Sequence, residues 1–194
     1  MTGQFEGRGL DLLRGDFPFY TVTFVRDLAP SELLMRMGAD PSTVAVRDMD
    51  ELAADFGDSF SDEIEPVVSS GTTRCWSWAW EEGGVHGLHA PNLRAVSIGT
   101  EAVVLHHNEK MDSFAYAVDG QVVVAFDTLQ EIHPIGTDPR RLDEQMRPLG
   151  LGPGLEHDVH SVLALVENAF GIRLTREDLN DEPHLSGLLC PLAD

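Results

Sequence analysis

The sequence predicts an α+β protein: an antiparallel sheet of four to five strands with helices packed on one face and a C-terminal helical segment. Short stretches of alternating or β-branched residues recur from residue 19 to residue 129, and Asp119-Gly120 is a strong hairpin signal between two of them. Beyond residue 137 the apolar residues recur at helical spacing instead. We expect a single domain over residues 1–194, with 1–16 a loose N-terminal arm and 150–194 the helical segment packed on the sheet.

The first elements follow from residue alternation and helix-end signals. Residues 19–26 alternate and are rich in aromatic and β-branched types, which predicts a strand. Pro30 begins a short helix that Gly38 ends. Residues 44–46 suit a brief strand, and a helix capped by an aspartate runs to Gly57. Residues 58–65 are acidic and loop-like, and they lack the spacing of a calcium-binding loop.

All the tryptophans lie on one predicted strand, residues 72–82. Trp76, Trp78 and Trp80 occupy every second position, so their rings point to one face of the sheet, opposite Cys75, Ser77, Ala79 and Glu81. We expect Trp76 and Trp78 to belong to the core and Trp80 to reach the mouth of a pocket. The alternative is that the three rings form an exposed platform for a ligand or a partner.

The middle of the chain predicts an antiparallel meander. A helical turn at residues 91–97 precedes a buried strand at 102–107. The Asp119-Gly120 turn then pairs residues 113–118 with residues 121–129. We expect the tryptophan strand to join these three strands.

Helices are expected after the meander. Asp138 and Pro139 suit the cap and first position of one helix. The last clear helix is expected from about residue 155 to residue 170, and a capping pattern follows at Thr175. The tail after Pro183 is expected to be irregular.

Charge is the dominant global feature of the chain. Thirteen lysines and arginines stand against 33 aspartates and glutamates, a formal net charge of −20. Such a surface repels nucleic acid and anionic membranes, and it steers a basic partner towards it. The sequence has no signal-peptide pattern and only two cysteines, which we expect to be reduced thiols. We therefore expect a cytoplasmic protein.

Four motifs, in this order, resemble those of a known family. They are Val22-Thr-Phe-Val-Arg-Asp-Leu with the helix at Pro30, Trp78-Ala-Trp-Glu-Glu-Gly-Gly, Phe114-Ala-Tyr-Ala-Val-Asp-Gly and Gly136-Thr-Asp-Pro-Arg-Arg-Leu. The chain thus resembles an uncharacterised actinobacterial family, a domain of unknown function common in streptomycetes. The resemblance covers residues 20–178. It implies the source and a coherent fold, and it brings no catalytic residues.

Few residues indicate chemistry. Glu81 and Glu82 are the best candidates for acid–base work, because burial at the end of an aromatic strand raises a carboxyl pKa. His157 and His160 are the best candidates for a metal site, although two ligands fall short of the three or four that zinc needs. We expect no metal and no other cofactor.

Two classes of function are compatible with these observations. The first is a non-catalytic binding or regulatory module for a basic protein partner, such as an immunity or inhibitor protein. The alternative is a small-molecule enzyme or ligand-binding protein of a biosynthetic pathway, with a pocket walled by Trp78 and Trp80 and with Glu81 as the acid–base residue. A filled core beneath an acidic face favours the first, and a closed apolar pocket with convergent polar groups favours the second.

Overall fold

A computed structural model describes residues 10, 13, 17–57, 66–175, 178–179 and 183–191. Its strands are β1 (Tyr20–Arg26), β2 (Ala45–Arg47), β3 (Val67–Thr73), β4 (Trp76–Glu82), β5 (Glu101–Asn108), β6 (Met111–Val118), β7 (Gln121–Asp127) and β8 (His184–Leu188). Its α-helices are α1 (Pro30–Arg36), α2 (Met49–Phe56), α3 (Ala90–Val96), α4 (Asp143–Met146) and α5 (Ser161–Phe170). Short 3₁₀ turns lie at His86–Leu88 and Arg147–Leu149.

All eight described strands form one antiparallel sheet in the order β2-β8-β3-β4-β1-β5-β6-β7. The prediction of four to five strands was therefore wrong. Two strands were missed. Residues 67–73 contain serine, threonine and glycine in place of a strong apolar pattern, and β8 lies in the tail that was expected to be irregular.

Helices cover both faces of the sheet, so the prediction of a single covered face was also wrong. The tryptophan face packs against α4, α5 and the chain around Ile172 and Leu174. The opposite face packs against α1 and α3 through Leu33, Leu34 and Leu93. Because both faces of the central strands are buried, those strands carry apolar or small residues at nearly every position.

The expected hairpin is present between β6 and β7. Asp119 and Gly120 both have positive φ, +47° and +76°, as a two-residue turn of this kind requires. The outer side of β7 is covered by the chain that follows. Ala125 and Ile135 exchange two backbone hydrogen bonds, and the N–H groups of Thr137 and Asp138 donate to carbonyls of β7.

The last helix is shorter than predicted. It begins at Ser161, six residues after the expected start at 155. Asp158 explains the difference, because its carboxylate accepts the N–H of His160 while its own N–H donates to Ser161 Oγ. This local bonding holds residues 158–160 in a turn. The capping pattern at Thr175 is present, with reciprocal hydrogen bonds between Thr175 and Asp178.

Within residues 1–16 the structure describes Leu10 and Leu13, which are fully buried in the core on the tryptophan face. The acidic loop predicted at residues 58–65 lies outside the described residues. Among the helices that the structure describes, none combines the length and the apolar character needed to cross a membrane.

Candidate functional site

The three tryptophans of β4 lie in the core. Trp76 and Trp78 are 1% exposed and Trp80 is 9% exposed. Trp80 stacks on Tyr20 and meets the edge of Phe17, at centroid distances of 4.9 and 4.7 Å. The rings are thus covered by the protein's own side chains.

Glu81 lies on the opposite face of the same strand and is 1% exposed. Its carboxylate sits beneath the loop that follows β4. Oε2 accepts the backbone N–H of His86 at 2.7 Å, and Oε1 accepts that of Gly87 at 2.8 Å. Both oxygens are therefore occupied in anchoring the 3₁₀ turn, and an acid–base role for Glu81 stays a prediction. Glu82 points to solvent at the strand end.

The loop approaches the sheet so closely that it requires glycine at position 87. A Cβ added to Gly87 would lie 2.3 Å from Thr23 Oγ1 and 3.2 Å from Glu81 Oε1. No side chain fits there without displacing strand residues, which explains why a glycine follows His86.

His86 completes the anchor. Its Nε2 lies 3.3 Å from the carbonyl oxygen of Cys190, so Nε2 carries a hydrogen and donates it. Its Nδ1 lies 3.3 Å from Glu81 Oε2 without the geometry of a hydrogen bond. The imidazole thus joins the β4 loop to the chain after β8, at a position between two acceptors.

Thr21 and His106 extend this polar cluster across the sheet. Thr21 of β1 is directly opposite Glu81 of β4 on one side and His106 of β5 on the other. Because Thr21 Oγ1 donates to the carbonyl of Gly84 at 2.6 Å, it accepts at its 3.0 Å contact with His106 Nδ1. His106 Nδ1 therefore carries a hydrogen.

The other ring nitrogen of His106 is an acceptor. Asn108 Oδ1 accepts the backbone N–H groups of Lys110 and Met111, which leaves its amide nitrogen facing His106 Nε2 at 3.3 Å. The hydrogen bonds assign His106 as the neutral Nδ1–H tautomer. Burial, followed by the neighbouring His107, lowers the pKa of His106, while the Tyr20 backbone and the carboxylates of Glu81 and Asp112 oppose the shift.

We expect His106 to make stability dependent on pH. Its pKa in the folded protein lies below 6.5, so the unfolded chain binds the proton more readily. The contribution of His106 is complete above pH 6.5 and is lost as the pH falls. Urea unfolding at about pH 7.5 and about pH 5 should therefore show a larger loss of unfolding free energy for the natural chain than for His106→Gln. Equal losses in both proteins would contradict this assignment.

In the part of the chain that the structure describes, no third metal ligand is arranged with the two candidates. His157 and His160 are exposed and lie in the segment before α5 rather than on the helix. Among the described residues no group of three or more histidine, cysteine, aspartate or glutamate side chains is arranged to hold a metal ion. Cys75 and Cys190 are both exposed free thiols, and Cys75 lies in the turn before β4.

An acidic surface lies at the β2 end of the sheet. We define the acidic edge as residues 45–57, that is β2, α2 and their flanks. The side chains of α2 are exposed or half-buried, and Val46 and Met49 are 64% and 62% exposed. The helix begins with a capping box between Asp48 and Glu51, which fixes the direction of its acidic first turn.

The one basic side chain of the acidic edge is already engaged. Arg47 pairs with Asp55 at 2.7 Å and its guanidinium lies 4.6 Å from the ring centre of Phe56. In the described part of the chain, Asp48, Asp50 and Glu51 form no ion pair, so the first turn of α2 keeps its negative charge.

Sequence reasoning placed Glu81 correctly on the face opposite the tryptophans but missed Thr21, His86 and His106 as its neighbours. Alternation along β1 and β5 puts Thr21 and His106 each on a definite face of its own strand. Their convergence depends on which strands pair and in which register, and a single sequence does not contain that information in local form.

Comparison with known proteins places the chain in a family without assigning it an activity. No curated protein is significantly similar to it, and no solved structure is either. Residues 16–191 match the model of a family of unknown function, DUF6461, and the chain therefore belongs to that family.

Proposed function

We propose that this protein is a non-catalytic binding or regulatory module that acts on a basic protein partner, as an immunity or inhibitor protein does. The observation that carries the proposal is the acidic edge. Residues 48–57 of this edge carry four carboxylates and no lysine or arginine: Asp48, Asp50, Glu51 and Asp55. This concentration exceeds the chain average and directs the attraction of a basic partner to one end of the sheet.

The geometry of β2 supports a specific mode of binding. β2 is the terminal strand of the sheet and pairs only with β8 among the described strands. The outer side of a terminal strand presents backbone donors and acceptors to an incoming segment. An extended basic segment of the partner is expected to pair there as a ninth strand next to the eight that are described.

The acidic edge also presents apolar side chains, which can form hydrophobic contacts with a partner in addition to the charge attraction. Val46 on β2 and Met49 at the start of α2 are both exposed. Each offers apolar area that a partner removes from water, at about 25 cal/mol per Å². The carboxylates around them steer the approach, and the apolar contacts and the strand pairing hold the complex.

The association rate of the complex is expected to fall steeply with salt. The immobilised chain would first capture its partner from the native host, and association of the purified partner would then be timed at low and at high salt. Neutralising three acidic-edge carboxylates should slow association about tenfold at low salt, because steering charges act mainly on the on-rate. The triple variant is Asp48→Asn, Asp50→Asn and Glu51→Gln, in which asparagine preserves the helix cap.

A matched control distinguishes the effect of the acidic edge on the association rate from the effect of net charge. Neutralising three exposed carboxylates elsewhere makes the same change in charge and should leave most of the rate unchanged: Asp138→Asn, Glu144→Gln and Glu156→Gln. A partner that binds at one rate in low and high salt would remove charge steering from the proposal. Equal slowing by both triple variants would remove the acidic edge as the site.

Source and compartment belong to the same proposal. Lys110 is the only lysine among the 13 basic residues, which is typical of a GC-rich coding sequence and supports an actinobacterial origin. The thiols of Cys75 and Cys190 are both free, which supports a cytoplasmic location because oxidising compartments favour disulfides.

A further inference from the structure

A cleft of about 740 Å³ lies on the face of the sheet opposite the tryptophans. Its floor is formed by β6 and β7, including Ala115 and Ala125. One wall is the 3₁₀ turn and α3, with Leu88 and Leu93, and the other is the segment around Ile135. The volume is in the range of sites that bind small molecules, and the lining is mostly apolar.

Small floor residues and backbone hydrogen bonds fix the shape of the cleft. Alanine at positions 115 and 125 keeps the floor low where larger side chains would fill the space. The outer wall is fixed by the four backbone hydrogen bonds that join residues 135–138 to β7. Gly136 permits this contact, because an added Cβ would lie 2.2 Å from the carbonyl oxygen of Val123. A ligand therefore meets a preformed site and does not need to order its walls.

Arg94 of α3 provides the charge in this lining. Arg26, Arg36, Arg47 and Arg173 each have a carboxylate within 4 Å, whereas none of the ion pairs in the described chain involves Arg94. Within the described residues the same is true of Arg74, Arg140, Arg141 and Arg147, but of these arginines the lining of the cleft includes Arg94 alone. The Arg94 guanidinium offers two parallel N–H donors that fit a carboxylate group.

Other polar groups of the cleft are neutral. Ser113 lies at the floor and is directly opposite His106 on β5, so the cleft borders the polar cluster around Glu81 and Thr21. The remaining polar lining residues are Gln121 and Thr137. No carboxylate is part of the lining, so nothing in it repels an anionic head group at short range.

We propose that this cleft binds a small molecule with an apolar body and one carboxylate group. The body lies over Ala115 and Ala125 between Leu93 and Ile135, and the carboxylate pairs with Arg94. The site is independent of the acidic edge, which lies at the opposite end of the sheet.

Calorimetric titration with octanoate, 1-octanol and octylammonium tests the proposal, since the three probes share a body and differ in the head group. Octanoate should bind saturably, with one molecule per chain, and more tightly than the other two probes. The affinity of decanoate should exceed that of octanoate by about fourfold for each added methylene group. Arg94→Gln should weaken octanoate about tenfold and leave 1-octanol nearly unchanged. Arg147→Gln, at another exposed arginine, is the matched control and should change neither.

Filling the cleft should abolish binding of both octanoate and 1-octanol. Ala125→Leu fills it from the floor, and Ala90→Phe fills it from an exposed position on α3, where we expect a larger side chain to leave folding unchanged. Unchanged octanoate binding in Ala90→Phe would overturn the location. Tighter binding of octylammonium, equal binding of octanoate and 1-octanol, or no saturable binding of octanoate would overturn the ligand class.

Discussion

Replacing Trp78 by alanine is expected to lower the free energy of unfolding by about 3–5 kcal/mol and the melting temperature by about 10 °C. The indole is 1% exposed and lies directly over Gly71 of β3, where an added Cβ would come within 2.5 Å of the ring. The edge of the ring also meets His184, with centroids 5.0 Å apart. Strands β3 and β8 hold these neighbours in place, so they cannot move in to fill the void.

Two further variants sharpen this result. Trp78→Phe should cost less, because the indole Nε1 has no hydrogen-bond partner in the described chain and only ring volume is lost. Val46→Ala, at a side chain 64% exposed, should change the melting temperature by no more than a degree or so, since surface substitutions have small effects. Thermal melts of the three variants measure the comparison. A Trp78→Ala protein that melts with the natural chain would contradict a core role for this ring.

Replacing Glu81 by glutamine is expected to cost about 2–4 kcal/mol. The carboxylate accepts two backbone N–H groups at 2.7 and 2.8 Å in a site that is 1% exposed. A glutamine of the same shape accepts one of them with its oxygen and presents its NH₂ group to the other, which leaves a buried donor without an acceptor. The loss is expected to appear in urea unfolding and as faster amide hydrogen exchange at His86 and Gly87.

Glu82→Gln is the natural control for this substitution. It is the same chemical change one residue later, at an exposed side chain, and should change stability by less than about 0.5 kcal/mol. Equal effects of the two substitutions would show that the buried anchor does not stabilise the loop after β4.

Local sequence was sufficient for the elements whose signals are short-range. The alternation of β1, the Asp119-Gly120 hairpin, the helix after Pro30 and the single-sided placement of the tryptophans are all present in the structure. Each of these depends on residues within a few positions of one another, so a single sequence suffices to predict them.

The two missed strands, β3 and β8, show why other parts of the fold could not be predicted from local sequence. Gly71 of β3 lies against Trp78 on the neighbouring strand. A Cβ added to Gly187 of β8 would lie 3.0 Å from a side-chain carbon of Val44. Both glycines weaken the strand pattern, yet each is placed where a neighbouring side chain comes close: Trp78 on the next strand for Gly71, and Val44, far away in the sequence, for Gly187. The burial of the second sheet face depends in the same way on α1 and α3 packing over small residues such as Ala79 and Ala102.

The candidate site was predictable only in part. The position of Glu81 on the non-tryptophan face follows from alternation alone. Its neighbours Thr21 and His106 come from strands that precede and follow β4, and their placement depends on the registers of two strand pairs. The cleft was not predicted, because its floor consists of small residues, Ala115 and Ala125, and nothing in a single sequence marks the space above an alanine as empty.

The unequal treatment of the two ends of the sheet limits how this protein can assemble. The outer side of β7 is occupied by its own chain at residues 135–138, whereas β2 has no strand on its outer side in the described structure. Among the described strands, β2 is therefore the one whose outer side can accept a further strand. If two copies joined through β2, the contact would be two-fold symmetric and would pair the β2 edge of one sheet with the β2 edge of the other. Such a pair is closed, so pairing through β2 gives a dimer and leaves no β2 edge for further edge-to-edge growth.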